Sequence, residues 1–237
     1  MLKFSAVLIV QLLLLAGSII ALGELAVNFP YPSPLIKPLL PPQLRWPTNQ
    51  VMGWIETQTI DPAFQRFFYR DPERLVPGGA NLVAPADGLV QKSEFKGGVT
   101  YLVIGLSFWD VHVVRTPIAG VVKSVETDGE YYARFPTKAE ADASFFLRGK
   151  AAPVQQIVTL QTAMGEVRVR LITSYWASRI KVWAHPGQHL EKGQRLGRIL
   201  LGSTVVAEFP GRVEFAVKHM QHVAGGETVI GTARTGR

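Results

Sequence analysis

The chain opens on a nearly continuous apolar run from Phe4 to Leu22, interrupted only by Ser5, Gln11, Gly17 and Ser18. Its length is close to the roughly 20 residues a helix needs to cross a bilayer core, so the pattern predicts an N-terminal transmembrane helix and an anchor over residues 1–25. A signal peptide with a small-residue cleavage site near Ala21-Leu22-Gly23 is the competing reading, and the length of the run favours a retained anchor. Lys3 on one flank and Glu24, Lys37 and Arg45 on the other give only a small orienting bias. The pattern then breaks. Residues 26–50 carry Pro30, Pro32, Pro34, Pro38, Pro41, Pro42 and Pro47, a density that predicts an extended linker without helix. Val51 to Phe68 has mixed helical spacing, with Trp54, Ile55, Phe64, Phe67 and Phe68 apolar, suited to a membrane surface or a domain core.

From Leu82 onward the period shortens. Runs such as Thr100–Ile104, Val111–Val114, Gln156–Leu160 and Val167–Leu171 are separated by Gly, Pro and Asp, which predicts strands. Lys138–Phe146, rich in Ala, is the one further helix expected. A weak repeat runs through this region. Val83-Ala84-Pro85-Ala86-Asp87-Gly88-Leu89-Val90 resembles Val206-Ala207-Glu208-Phe209-Pro210-Gly211-Arg212-Val213, and Thr116-Pro117-Ile118-Ala119-Gly120-Val121-Val122 follows the same outline. Gly187, Leu190, Gly193 and Gly197 are echoed by Val223, Gly226 and Gly231. The expected fold is mainly β (α+β): a folded-over β-sandwich, similar to barrel sandwiches of the lipoyl and biotinyl type, with few short helices behind a transmembrane helix.

Composition adds three constraints. At 237 residues the chain has room for one large domain plus an anchor. Its net charge of +7 is dispersed, which suits an anionic lipid surface; no basic stripe interleaved with aromatics points to nucleic acid. The absence of cysteine excludes a disulfide scaffold, a thiol nucleophile and a Cys-ligated metal.

Candidate chemistry centres on Leu201-Gly202-Ser203-Thr204, set between the strand-like runs Arg198–Leu201 and Thr204–Ala207. A serine hydroxyl can add to the preceding carbonyl and turn the amide into an ester. Elimination and hydrolysis then leave a pyruvoyl group at a new amino terminus. Its ketone is an electrophile that no ordinary side chain provides. Such a serine needs a neutral base, for which imidazole is suited, and a carboxylate behind the imidazole fixes its tautomer.

Alone, Gly-Ser-Thr is more often a turn. Three further segments change its weight: Phe67-Phe68-Tyr69-Arg70-Asp71-Pro72-Glu73-Arg74, Ala84-Pro85-Ala86-Asp87-Gly88, and Phe108-Trp109-Asp110-Val111-His112-Val113-Val114-Arg115-Thr116-Pro117. In this order, with Gly193–Gly197 and Gly202-Ser203, they resemble the phosphatidylserine decarboxylase family in its short bacterial and archaeal form, over about residues 60–215. The resemblance implies a catalytic β-rich domain over residues 51–237, self-cleaved between Gly202 and Ser203. Ser203 would become the pyruvoyl cofactor, His112 would be the active-site histidine, and Asp87 the carboxylate that orients it. The implied partners are a phospholipid substrate, the two cleaved chains held together and a second copy in a homodimer, with no nucleic acid. The implied location is the inner membrane with the catalytic domain on the cytoplasmic side.

Two departures stand out. Many family members carry a second histidine three residues after the first, where this chain has Arg115, and an Asn-Glu-Arg segment is replaced by residues such as Lys138-Ala139-Glu140-Ala141-Asp142-Ala143-Ser144. Asp110 is expected to pair locally with Arg115, and Arg70, Asp71, Glu73 and Arg74 to form a structural ion-pair network. Metal is not expected: Pro186-Gly187 separates His185 from His189, and His219 and His222 lie in a turn-rich stretch. The rival function is a non-enzymatic, membrane-tethered biotinyl- or lipoyl-like adaptor module, which would have no need of the Arg-Asp-Pro-Glu-Arg run or the Gly-Ser bond.

Overall fold

The computed structural model of the chain describes residues 2–28, 37–129, 154–173, 179–200 and 203–233. The expected helix at Lys138–Phe146 lies outside them. The chain divides into two units, residues 1–59 and 60–237.

In the first unit, α1 spans Leu2–Asn28, about 40 Å at 1.5 Å per residue. Its segment Ala6–Gly23 is exposed throughout and carries no charge, so it is long and apolar enough to cross a membrane. The proline-rich stretch departs from the extended form expected. It makes a 3-10 turn at Lys37–Leu39, α2 at Pro42–Arg45 and α3 at Thr48–Thr57. Pro42 opens α2 and Pro47 caps α3, positions where the missing N–H would lack an intrahelical partner in any case. Gln58, left-handed at φ 57°, ends α3.

The second unit begins with α4, Pro62–Phe68, so the helical spacing of Val51–Phe68 yields two helices and not one. The Asp61 carboxylate caps α4, accepting from the amides of Ala63 and Phe64 at 2.7 and 3.0 Å.

The rest is mainly β, a curled half-barrel. The strands are β1 Asn81–Val83, β2 Gly88–Lys96, β3 Val99–Leu106, β4 Val113–Arg115, β5 Gly120–Asp128, β6 Gln155–Thr162, β7 Gly165–Ile172, β8 Arg179–Val182, β9 His189–Leu190, β10 Arg195–Leu200, β11 Ser203–Pro210, β12 His222–Val223 and β13 Val229–Thr232. Among the described residues they form an eight-stranded sheet in the order β12-β2-β3-β11-β7-β6-β5-β9, a three-stranded sheet β4-β10-β8, and a pair β1-β13. The run Val111–Val114 becomes a strand only from Val113, which leaves His112 in the loop before it. One core gathers the inward side chains, including Leu102, Ile104, Leu160, Leu171, Leu196, Ile199 and Phe209, all fully buried.

The sequence repeat is a repeat of strand plan. Ala84 and Thr116 hold equivalent places: each carbonyl accepts from a glycine amide, Gly226 and Gly193, at 2.8 Å. Val90 and Val122 each donate to a glutamine carbonyl, Gln221 and Gln188, at 2.9 Å, and accept from Met220 and Gly187 at 2.8 Å. The two copies also bond each other: Val83 N–H donates to Pro117 at 3.0 Å and Arg115 N–H to Pro85 at 2.7 Å. The third copy differs. Its strand, β11, ends on the proline, and Gly211 at φ 73° begins the turn after it, whereas Gly88 and Gly120 start strands. At Gly88, φ is 139° and a Cβ would lie 2.3 Å from the Gly105 carbonyl oxygen, so no other residue fits.

Between the end of β10 at Leu200 and the start of β11 at Ser203 the chain passes from one sheet to another. β10 is held by β4 and β8, whereas β11 is held by β3 over eight register pairs and by β7 over five. Val205, Ala207 and Phe209 face the main core, and Val206 joins a smaller cluster with Tyr101, Val103 and Ile172. β11 is therefore buried on both faces in the middle of the large sheet.

Met220 occupies, at φ 62°, the turn position that Gly187 fills at φ 85° in the other copy. A left-handed residue with a Cβ is strained by about 1 kcal/mol or more, partly offset by the unfolded-state entropy of glycine. Met220→Gly is expected to stabilise the fold by about 0.5–1 kcal/mol, raising Tm by roughly 1–4 °C. Thermal unfolding of the two proteins side by side checks this; a fall in Tm would contradict it.

Candidate active site

His112 is fully buried, one residue ahead of β4, with its ring stacked on Phe68 of α4 at 4.1 Å between centroids. Its Nδ1 lies 3.0 Å from the Asp110 carbonyl oxygen. A carbonyl only accepts, so Nδ1 carries the proton and Nε2 presents the lone pair. Burial pushes the imidazole down to about 4 from its ordinary 6.5; the Asp110 carbonyl and carboxylate oppose that shift, and the charges of Arg70 and Arg198 add to it. The ring is thus neutral through the physiological range.

Asp110 organises the loop that carries His112. Its carboxylate accepts from the amide and the hydroxyl of Ser107, both at 2.7 Å, and its other oxygen meets His222 Nε2 at 2.7 Å. The local pair expected between Asp110 and Arg115 does not form. A side chain three residues before a short strand cannot reach along it while capping its own loop. Arg115 instead bonds Asp71 at 2.8 Å and the carbonyls of Pro72 and Gly193, both at 3.1 Å. The position where many relatives have a second histidine is therefore a buried structural clasp.

Asp87 sits in the turn before β2, where its oxygens accept from Arg74 at 2.9 and 2.8 Å and from the Gly225 amide at 2.8 Å. The orienting bond that the resemblance implies from Asp87 to His112 is not among the hydrogen bonds of Asp87; the Asp110 carbonyl supplies that orientation. Asp87 and His112 are linked electrostatically, since Arg70 lies in the field of both Asp87 and Asp110 while its own charge acts on His112. Burial lowers the Arg70 pKa. Burial also acts to lower that of Arg74, but the charge and hydrogen bonds of Asp87 and Glu227 outweigh it and raise the value.

The Arg-Asp-Pro-Glu-Arg run forms the expected ion-pair network. Arg70 donates to the carbonyls of Phe67 and Trp109, Asp71 holds Arg115 and Arg195, Glu73 meets Arg195 at 2.9 Å, and Arg74 joins Asp87 to Glu227. The segment straps α4 onto the β-unit beneath His112. Ser203 begins β11 opposite Leu106, and the Ile199 amide donates to the His112 carbonyl at 3.1 Å. The loop Leu106–His112 is thus joined to β11 at its Leu106 end and to β10 at its His112 end. Gly202 and the Lys138–Ser144 departure lie outside the described residues. Two contributors escaped the sequence reading. His222 was weighed only as a metal ligand, and Asp110 only as a local partner of Arg115; the Ser-x-x-Asp spacing of Ser107 and Asp110 is the signal for a side chain that caps its own loop.

A buried, neutral, oriented imidazole in a β-unit, tied to the strand that enters a Gly-Ser bond, defines an enzyme site and not a carrier module. The chain belongs to the phosphatidylserine decarboxylase family, whose model matches residues 62–231. It is 34% identical over 168 residues to the phosphatidylserine decarboxylase proenzyme of Solibacter usitatus, covering 70% of this chain and 78% of the relative. It is 36% identical over 179 residues to that of Symbiobacterium thermophilum, covering 71% and 78%. With that of Streptomyces coelicolor it shares 34% over 173 residues, covering 72% of each.

The depressed His112 pKa has a measurable consequence. The unfolded chain takes up a proton near 6.5 and the folded chain only near 4, so the His112 contribution is complete above about pH 6.5 and is lost as pH falls from there to about 4. The loss is on the order of 3 kcal/mol for a fully buried group. In a Ser203→Ala background, chemical denaturation at pH 7.5 and 4.5 is expected to show this decline, and His112→Gln to remove most of it. Equal pH dependence in the two proteins would refute the buried neutral imidazole.

Proposed function

We propose that the chain cuts itself between Gly202 and Ser203 and that the processed protein decarboxylates phosphatidylserine to phosphatidylethanolamine at a membrane surface. One observation carries the reading above the others: the Gly202-Ser203 bond joins two strands held in different sheets, and the loop bearing the neutral His112 is bonded to both of them. Relatives that cover more than two thirds of their own length with this chain bear the name proenzyme, in keeping with self-processing.

In the first stage the Ser203 hydroxyl adds to the Gly202 carbonyl while His112 takes its proton. The C–N bond breaks as the amide nitrogen is protonated, leaving Gly202 esterified to Ser203. Loss of the Ser203 Cα proton expels the Gly202 carboxylate, and hydrolysis of the resulting enamine releases ammonia and leaves a pyruvoyl terminus. Position 203 fits this group, because the cut would free only the start of a strand whose other residues stay paired to β3 and β7. The pyruvoyl ketone supplies the electron sink for the pair left behind as CO2 departs. His112, with Nδ1 fixed on the Asp110 carbonyl, relays the proton that replaces the carboxylate. Asp87 acts at a distance: paired with Arg74, it holds the turn and balances the charge of Arg70 beside the imidazole. Helix α1 keeps the catalytic unit at the bilayer, on the cytoplasmic side by family resemblance.

The intact mass of the purified protein tests the first stage. Two associated pieces, residues 1–202 and 203–237, are expected, the smaller with a blocked amino terminus that reacts with borohydride. Ser203→Ala should abolish both processing and activity, and His112→Ala should slow processing at least about 100-fold, the usual contribution of a general base. An active protein with one intact chain would end the proposal. Deleting residues 1–25 should leave self-cleavage intact and lower turnover of lipid in vesicles, while a short-chain, water-soluble phosphatidylserine is turned over as before. Failure of the folded truncation to self-cleave would place the N-terminal segment within the catalytic machinery.

A further inference from the structure

The sheet β4-β10-β8 contains five cations, Arg115, Arg179, Lys181, Arg195 and Arg198, and no acidic residue. Arg115 and Arg195 point to the Arg-Asp-Pro-Glu-Arg strap and are neutralised by Asp71 and Glu73. Among the described residues, the other three have no carboxylate partner. They share one face. Arg198 is directly opposite Lys181, and Leu200 opposite Arg179, while the intervening Ile199–Ile180 pair points into the core. A sheet that stacks three unpaired like charges on one face is unfavourable unless an anion joins it.

Arg198 is the one of the three with a buried donor left open. Its Nη2 donates to the Tyr69 carbonyl at 3.0 Å, and its guanidinium lies 5.3 Å from the Tyr69 ring and 5.8 Å from that of Trp183. Its Nε is buried without any acceptor. A buried guanidinium N–H left open is costly and commonly marks the place of an absent acceptor. Arg198 pairs in register with Val113, next to His112. Beside it a cavity of about 200 Å³ is lined by Phe64, Phe68, Tyr69, Leu200 and Arg179. The cavity is mostly apolar and ends on the ring that stacks against His112.

We propose that Arg198, with Lys181 and Arg179, binds the phosphate diester of a phospholipid whose glyceride end enters the adjoining apolar cavity. Arg198 supplies two N–H groups in a fixed fork, Lys181 and Arg179 add charge from the solvent side, and Tyr69 and Trp183 flank the guanidinium as interfacial aromatics do. With the phosphate held there, the headgroup extends along β10 toward its end at Leu200. This inference rests on the decarboxylase reading only for the identity of the headgroup. The phosphate site itself does not depend on the reaction.

Equilibrium binding to the purified full-length protein tests it with three probes: dihexanoyl phosphatidylglycerol, dihexanoylglycerol without phosphate, and inorganic phosphate. The wild type is expected to bind the phospholipid most tightly. Arg198→Gln should weaken that binding about 10-fold or more, and Lys181→Met about 2- to 5-fold, with no change for dihexanoylglycerol. Lys123→Ala, on the opposite sheet, is the control and should change nothing. If Arg198→Gln does not process or fold, Lys181→Met and the conservative Arg198→Lys, expected to fall between wild type and Arg198→Gln, still decide. Unchanged phospholipid affinity in the Arg198 and Lys181 variants would overturn the site. Inorganic phosphate binding as tightly as the phospholipid would show a free-anion site and overturn the lipid assignment. Decarboxylation is measured separately. Arg198-dependent binding without turnover would remove the reaction and keep the site, whereas turnover with Arg198-independent affinity would do the reverse.

Discussion

The reciprocal pair of backbone bonds between the two proline-led turns is the constraint on which the β-unit depends. Val83 reaches the Pro117 carbonyl and Arg115 the Pro85 carbonyl, so neither copy of the strand plan can shift without breaking the other's register. Everything at the candidate site is measured from these turns. Asp87 lies two residues beyond Pro85, and Arg115 is itself one of the donors, its side chain clasping Asp71 and the turn at Gly193. Proline serves well here because it holds φ near −65° and exposes a carbonyl whose acceptor is not shared with a strand of its own.

The strands were legible because the alternation and turn residues are local properties. Thr100–Ile104, Gln156–Leu160 and Val167–Leu171 all fall within β3, β6 and β7, and the glycine pattern around Gly193 and Gly226 marks equivalent turns. The proline-rich stretch was misjudged because proline breaks a helix only from within, whereas Pro42 and Pro47 stand at or just before helix starts. Val51–Phe68 is helical as its spacing implied, with Pro62 starting a second helix. The third copy of the repeat was similar in letters but not in plan, since residue similarity around Pro-Gly does not say on which side of the turn the strand lies.

At the site, the residue types were legible and the partners were not. The His112 carbonyl is bonded to Ile199 of β10, and the orienting acceptor of its ring is a main-chain carbonyl, which leaves no trace in a sequence. Asp87 and Arg74 are 13 residues apart, and Asp110 and His222 are 112 apart. Such pairings are products of the sheet order, so only the topology can disclose them. The strap Arg70–Arg74 is the exception: its alternating charges announced a network, and the network exists.

The central position of β11 also fixes an order of events. A strand flanked on both sides and buried on both faces cannot be inserted into a finished sheet, so the fold must close while β10 and β11 are still one chain. Cutting at Ser203 would then turn an intramolecular fold into a complex of two chains. Its recovery after unfolding would become a second-order reaction, dependent on concentration and opposed by the loss of the tether. The persistence of the processed protein would rest on how slowly β11 leaves the sheet, a kinetic and not an equilibrium property.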